Sequence, residues 1–244
     1  MNILYFVPGT MNERELKRRE RIANSFVSSE NHLDVKSHDS GPISIESAVE
    51  EEMSVSGLLQ GLLKYQNQYD AAVLGCFGDP GLRAARELVK IPVIGPAESS
   101  ISFSLQIADS FGILVALERD IPTARAMVAR YEMSHKLAAI QPLSIPVLKL
   151  AKNKRRTEKE LMRAAELAES HGAECLILGC MSLAFLSADE LIEGKVNVPL
   201  LNPAKIAIKT AEVFAQLKMH HSGKSYPAVN YAKLRKTVFK ELRY

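Results

Sequence analysis

Two of the three cysteines stand at equivalent places in the two halves of the chain. Each follows a Leu-Gly pair at the end of a short apolar run, giving Cys76 and, 104 residues later, Cys180. A thiol has an ordinary pKa of about 8.5, and a nearby helix N-terminus favours its thiolate form. Two opposed thiols suit one chemistry well: one removes a proton from a carbon acid and the other returns a proton to the opposite face. We therefore predict Cys76 and Cys180 as a catalytic pair.

The third cysteine has a different interpretation. Free cysteines are among the most buried residue types and are usually inert. Cys175 lies at the start of an apolar run and has no counterpart in the first half of the chain. We predict a structural role for it.

The pattern around these thiols is that of parallel βαβ units. Short runs rich in β-branched residues alternate with longer stretches of helical period, which is typical of an α/β protein. The predicted strands lie at 3–7, 32–36, 71–75, 93–95, 112–117, 137–140, 175–179 and 200–201. They form two sets of four in the same order, because 3–7 corresponds to 112–117 and the Pro-punctuated run 91–97 corresponds to 198–204.

This repeat predicts two similar lobes, each with a four-stranded parallel sheet, that face each other across a cleft. Lobe 1 is expected to comprise 1–97 with part of 205–244 and to carry Cys76, and lobe 2 to comprise 98–204 and to carry Cys180. Ligands bind beyond the carboxyl ends of parallel strands, which is where both thiols fall.

Local signals predict several helix starts. Ser47 with Glu50, and Thr157 with Glu160, have the spacing of capping boxes. Asp79 directly before a proline is expected to cap the helix that follows it.

Composition limits the choice of partner and compartment. The 244 residues contain 31 basic and 28 acidic side chains, and this balance does not suggest nucleic-acid binding. Three cysteines are too few and odd in number for a disulfide framework, and no apolar stretch reaches the ~18 residues of a membrane span. With no basic leader before the first apolar run, we expect a cytoplasmic protein with a small-molecule substrate and no membrane partner. The basic tail at 224–244 is expected to be solvated or to pack on a neighbouring subunit of a homo-oligomer.

Several sequence motifs resemble one enzyme family. The run CFGDPGL at 76–82, the run GPISIE at 41–46 and the later Leu-Gly-Cys ending at Cys180 resemble the hydantoin racemase branch of the aspartate/glutamate racemase superfamily. The similarity extends to about Ala207. It implies two flavodoxin-like lobes, an active site between them, and racemisation by Cys76 and Cys180 without a cofactor. No lysine motif for pyridoxal phosphate, dinucleotide fingerprint or metal-ligand cluster is seen, which also predicts no cofactor and no metal.

The chain departs from the family pattern beside both thiols. The usual Asn-Pro-Asn after the first strand is replaced by VPGT at 7–10, and the second thiol is followed by a large Met181. The substrate-binding residues expected from the resemblance and these departures are Thr10, Phe77, Gly78, Glu98, Met181 and Ser182.

The predicted reaction is epimerisation at the acidic carbon of a 5-substituted hydantoin or related ureide. Apolar residues beside the thiols favour a neutral ring over a free amino acid. The alternatives are an aspartate or glutamate racemase, a decarboxylase or cis-trans isomerase of the same superfamily, and a non-catalytic bilobed binding protein.

Overall fold

A computed structural model describes residues 1–237 and shows two four-stranded parallel sheets with helices on their faces. The elements of the first half are β1 (Asn2–Val7), α1 (Glu13–Asn24), β2 (His32–Ser37), α2 (Ala48–Tyr65), β3 (Ala71–Leu74), α3 (Leu82–Leu88), β4 (Val93–Ile94) and α4 (Pro96–Ser104). Those of the second half are β5 (Phe111–Val115), α5 (Asp120–Arg130), β6 (Leu137–Pro142), α6 (Lys154–Ser170), β7 (Leu176–Leu178), α7 (Met181–Ala184), α8 (Ala188–Ile192) and β8 (Leu200–Leu201). They are followed by α9 (Pro203–Gln216) and α10 (Tyr231–Thr237).

The two sheets have the same topology, which confirms the predicted class and all eight strands. Their orders are β2-β1-β3-β4 and β6-β5-β7-β8, with every neighbouring pair parallel. This is the flavodoxin-like order with one strand fewer. The central strands β3 and β7 are buried along their whole length, as expected where helices cover both faces of a sheet.

One hydrophobic cluster spans both lobes, and each lobe has a further cluster of its own. A single buried cluster contains Tyr5 and Val73 from the first sheet, Ile113 and Ile177 from the second, and Phe185 after α7. The helix that follows the last strand of the second sheet, α9, packs on β1, β3 and β4 of the first sheet and against α4. This return of the chain supports placing part of 205–244 with lobe 1, and the lobe boundaries themselves stay a prediction.

One of the two capping boxes forms and the other does not. Ser47 caps α2 by accepting the Glu50 N–H, as predicted. Thr157 does not begin a helix, because α6 starts a turn earlier with Asn153 as its N-cap. The Thr157 hydroxyl is fully buried and donates instead to the Leu150 carbonyl at 2.7 Å.

The segment after α9 folds back on lobe 1. Arg83 donates to the Ser225 carbonyl at 2.9 Å, and the Tyr231 hydroxyl donates to the Leu88 carbonyl. His221 accepts the Val93 N–H at 2.9 Å. Most residues from 222 to 233 are nevertheless exposed, Lys224 and Lys233 among them, which agrees with the expectation of a solvated tail. Packing on a neighbouring subunit stays a prediction, and residues 238–244 lie outside the described part of the chain.

Within residues 1–237, every helix is too short or too polar to span a bilayer.

Candidate active site

Glycine at the end of each central strand places the thiols. The Gly75 N–H donates to the Phe6 carbonyl at 2.7 Å, and the Gly179 N–H donates to the Leu114 carbonyl at the same distance. A Cβ added at Gly75 would lie 2.9 Å from the Phe6 oxygen, and one at Gly179 would lie 2.9 Å from the Leu114 oxygen. The repeated Leu-Gly-Cys thus has a physical reason: only glycine lets the chain stay against the neighbouring strand before it turns to present the cysteine.

Both cysteines line one cavity of about 970 Å³ between the lobes. Lobe 1 contributes the loop after β1, the loop before α2 and the start of the loop after β3. Lobe 2 contributes the equivalent loops after β5, β6 and β7. Cys76 and Cys180 are each partly exposed, whereas Cys175 is fully buried, which agrees with its predicted structural role.

Five of the six predicted substrate-binding residues lie at this cavity, and one does not. The five that line it with the thiols are Thr10, Phe77, Gly78, Met181 and Ser182. Glu98 lies outside the lining and forms an ion pair with the buried Arg86, whose Nη1 donates to Glu98 Oε1 at 3.1 Å. The expectation that Glu98 faces the substrate is therefore corrected, since its carboxylate is paired with Arg86 of α3 and does not line the cavity.

Asp79 caps a helix, but a different one from that predicted. It has a left-handed φ of 52° and is buried, and its carboxylate accepts the N–H groups of Ala97 and Glu98 at the start of α4. It also accepts the Tyr131 hydroxyl of lobe 2 at 2.7 Å. Asp79 thus ties the loop after Cys76 to both lobes, and burial raises the pKa of this carboxyl to about 7.

The surroundings of Cys76 favour its neutral thiol. Burial is the main cause that raises the pKa of Cys76, to about 12, and the carboxylates of Glu51 and Asp79 add to it. The backbone N–H of Gly78 acts in the opposite direction by donating to the sulfur. Arg130 of lobe 2 donates to the Gly78 carbonyl at 3.2 Å and so holds this turn.

The surroundings of Cys180 include more groups that stabilise a thiolate than those of Cys76 do. The pKa of Cys180 lies above its ordinary value, with burial as the largest cause, while the N–H groups of Ser182 and Leu183 at the start of α7 and the Arg19 guanidinium act to lower it. Asp120 of α5 raises it and is the carboxylate that opposes the Cys180 thiolate. The two thiols of the pair are therefore electrostatically unequal.

Sequence reasoning missed the charged residues that α1 brings to the cavity. Glu15, Arg18 and Arg19 all line it, and Glu15 accepts hydrogen bonds from both guanidinium groups. A signal was present, because Arg19 falls at helical spacing between Leu16 and Ala23 on the face of α1 that meets the core.

A second missed feature crosses the cavity from one lobe to the other. Glu46 precedes α2 in lobe 1, and its Oε1 accepts the N–H of Val147 in lobe 2 at 2.7 Å. Both residues line the cavity. Two loops, one from each lobe, are thereby joined at the cavity wall.

Among residues 1–237, the structure brings together no group of three His, Cys, Asp or Glu side chains that could hold a metal ion.

Comparison with known proteins identifies the family. Residues 12–211 match the model of the Asp/Glu/Hydantoin racemase family. A hydantoin racemase of Rhizobium meliloti is 33% identical over 192 residues, which cover 78% of this chain and 76% of that protein. A hydantoin racemase of a Pseudomonas species is 32% identical over 200 residues, covering 81% of this chain and 80% of that protein.

The fold of this chain is also similar to that of a solved racemase structure. Allantoin racemase from Klebsiella pneumoniae superposes with a TM-score of 0.83 at 26% identity, covering 94% of this chain and 95% of that one. The family match and the racemase relatives identify the chain as an isomerase of the racemase type. The chain belongs to the Asp/Glu/Hydantoin racemase family.

Proposed function

We propose that this enzyme racemises a 5-substituted hydantoin or a related ring ureide, with Cys76 and Cys180 as its two proton-transfer groups and no cofactor. The observation that carries the proposal is the placement of both thiols, at repeated strand ends in opposite lobes, in the wall of one cavity. The family and its hydantoin and allantoin racemase relatives support the substrate class.

The reaction needs only the two sulfur atoms and the acidic carbon of the substrate. One cysteine, as thiolate, takes the proton from the carbon and becomes a thiol, and the electron pair left on the carbon is delocalised onto the adjacent carbonyl oxygen. The other cysteine, as thiol, gives its proton to the opposite face and becomes the thiolate. The carbon is inverted, and the pair has exchanged one proton with the substrate in each direction.

The cavity wall supports a neutral ring as the substrate. Phe77 and Met181 lie beside the two thiols in the wall. Glu51 and Asp79 raise the pKa of the nearby Cys76 through their negative charge, and the same charge disfavours a carboxylate on that side of the ligand. A ureide ring can bury its substituent against apolar walls and form hydrogen bonds along its edge.

The first test separates the two thiols. Cys76→Ser and Cys180→Ser should each abolish racemisation, because a serine hydroxyl is far too weak a base. In D₂O each variant should still exchange the α-proton of one enantiomer of a 5-substituted hydantoin, and the enantiomer should differ between the two. Proton NMR follows the exchange and polarimetry the racemisation. Full racemase activity in either variant would remove that cysteine from the mechanism.

The second test fixes the substrate class. The wild-type enzyme is assayed by polarimetry on 5-substituted hydantoins, allantoin, aspartate and glutamate, with and without exhaustive chelation. We expect the highest kcat/KM on a ring ureide and the same rate after chelation. A higher kcat/KM on aspartate or glutamate would refute the substrate assignment. Loss of activity on chelation with recovery on adding a divalent metal would refute the two-thiol mechanism, and absence of deuterium exchange into every compound would favour a binding protein.

A further inference from the structure

Arg19 is a buried cation next to the second thiol. Only 6% of its surface is exposed, although it lies in a helix whose other cations reach solvent. Its Nη2 donates to the Ser182 hydroxyl at 3.1 Å, and the guanidinium lies 5.0 Å from the centre of the Phe185 ring. Ser182 lies in the first turn of α7, and Phe185 directly follows this helix. The first turn of α7 donates N–H groups to the sulfur of Cys180. Arg19 of lobe 1 therefore holds the turn that presents Cys180 in lobe 2.

The charge of Arg19 is not cancelled by its carboxylate partner. Glu15 is paired in a bidentate manner with Arg18, through two contacts of 2.7 Å, and gives Arg19 only a third contact of 3.0 Å. One carboxylate shared by two guanidinium groups leaves one net positive charge at this wall. Since both arginines keep their protons in any ordinary pH range, that charge is permanent.

The strongest influences on the pKa of the first thiol include no cation. They are burial, the carboxylates of Glu51 and Asp79, and the other thiol, Cys180, all of which raise it, and the Gly78 N–H, which lowers it. The charged side chains with the strongest influence on the pKa of Cys180 are Arg19 from α1 and Asp120 from α5. The Asp120 carboxylate accepts a hydrogen bond from the Leu117 N–H at 2.9 Å, within its own lobe. A cation thus acts on Cys180 together with a carboxylate, whereas two carboxylates act on Cys76.

We propose that Arg19 is a positioning residue that holds the turn after Cys180 and makes Cys180, rather than Cys76, the more readily ionised thiol of the pair. The inference rests on the proposed two-thiol reaction, to which it adds an order: the free enzyme is set to take a proton with Cys180 and give one with Cys76. Reaction from the other enantiomer then requires the proton of the pair to be exchanged.

The experiment measures each thiol separately and needs no turnover. In the Cys76→Ser/Cys175→Ser background Cys180 is the only thiol, and its alkylation by iodoacetamide is followed by mass spectrometry from pH 5 to 11. Adding Arg19→Met should raise the pKa read from this profile, slowing alkylation near neutral pH by about tenfold for a rise of about one unit. Arg19→Lys keeps the charge and should restore most of the rate.

A matched background gives the control, and a second variant gives a change of opposite sign. With Cys76 as the only thiol, in Cys180→Ser/Cys175→Ser, Arg19→Met should leave the alkylation profile unchanged. Glu15→Gln removes the shared carboxylate and should lower the pKa of Cys180, so that alkylation becomes faster near neutral pH. An unchanged Cys180 profile in Arg19→Met, or equal shifts of both thiols as expected for general loosening, would overturn the proposal.

Failure of the role proposed for Arg19 can be distinguished from failure of the proposed function. A shifted Cys180 profile in a protein that racemises no ureide would leave the role of Arg19 standing and refute the substrate. If the enzyme racemises a hydantoin but Arg19→Met leaves the Cys180 alkylation profile unshifted, the proposed function stands and the role of Arg19 is refuted. In an active enzyme, Arg19→Met should also move the acidic limb of the kcat/KM profile to higher pH, which a purely structural role would not do.

Discussion

Alanine in place of Gly75 or Gly179 should damage both stability and activity, because each glycine lies against the backbone of a neighbouring strand. The new Cβ at position 75 would lie 2.8 Å from the Val7 Cα, and that at position 179 would lie 2.7 Å from the Ile113 Cγ2. Carbon atoms normally rest about 3.5–4.0 Å apart, so the strand end must move. Overpacking of this kind costs about 1–3 kcal/mol. In a chain of this size that corresponds to a fall in Tm of roughly 2–12 °C.

Two measurements test this reasoning. Thermal unfolding should show the lower Tm for both variants, and Gly223→Ala, where the added Cβ would meet nothing within 4 Å, should match the wild type. Racemisation of a 5-substituted hydantoin, assayed well below the Tm, should fall on the order of a hundredfold, as for a reacting group displaced by about 1 Å. Unchanged Tm in both variants would refute the packing argument. A lower Tm with full activity would refute the claim that these glycines place the thiols.

Three further outcomes are expected. Glu46→Gln weakens a charge-assisted hydrogen bond to Val147 across the cavity, so KM should rise more than kcat falls in steady-state assays; an unchanged KM would contradict a role for this bridge in ligand binding. Burial lowers the pKa of His221 to about 4, so the folded state binds fewer protons than the unfolded state between pH 6.5 and 4, and stability should decline as pH falls through that window. In His221→Gln, which keeps an acceptor for the Val93 N–H, chemical denaturation should show this part of the decline removed; an identical pH slope would refute the assignment. Cys175→Ser should leave racemisation close to the wild-type rate, and a large loss would place this buried thiol in the reaction after all.

Local patterns predicted the elements well wherever local interactions decide them. The eight strands follow from apolar runs separated by turn residues, and Ser47 begins α2 as its spacing with Glu50 indicates. Thr157 has the same spacing to its glutamate, yet α6 starts earlier, because the Leu150 carbonyl is buried beside Thr157 and takes its hydroxyl. A capping motif limits which hydrogen bonds a residue can form, and its tertiary contacts decide which of these bonds forms.

The same reasoning explains the error at Glu98 and the change of role at Asp79. Glu98 follows a strand end, where ligands often bind, but Arg86 on α3 holds its carboxylate away from the cavity. Asp79 precedes a proline as helix caps do, but its left-handed backbone directs the carboxylate to α4 instead of to the next turn of its own chain.

The sequence by itself determined the class of fold, the two-lobed repeat and the equivalent places of Cys76 and Cys180, because strand period, Leu-Gly-Cys and proline punctuation are all local or repeated features. Only the tertiary structure decided which groups surround each thiol. Arg19 and Ser182 are 163 residues apart, and Glu46 and Val147 are 101 apart, so both contacts depend on how one lobe packs on the other. Charge acts through space and not along the chain, and the inequality of the two thiols could therefore be seen only once the lobes were together.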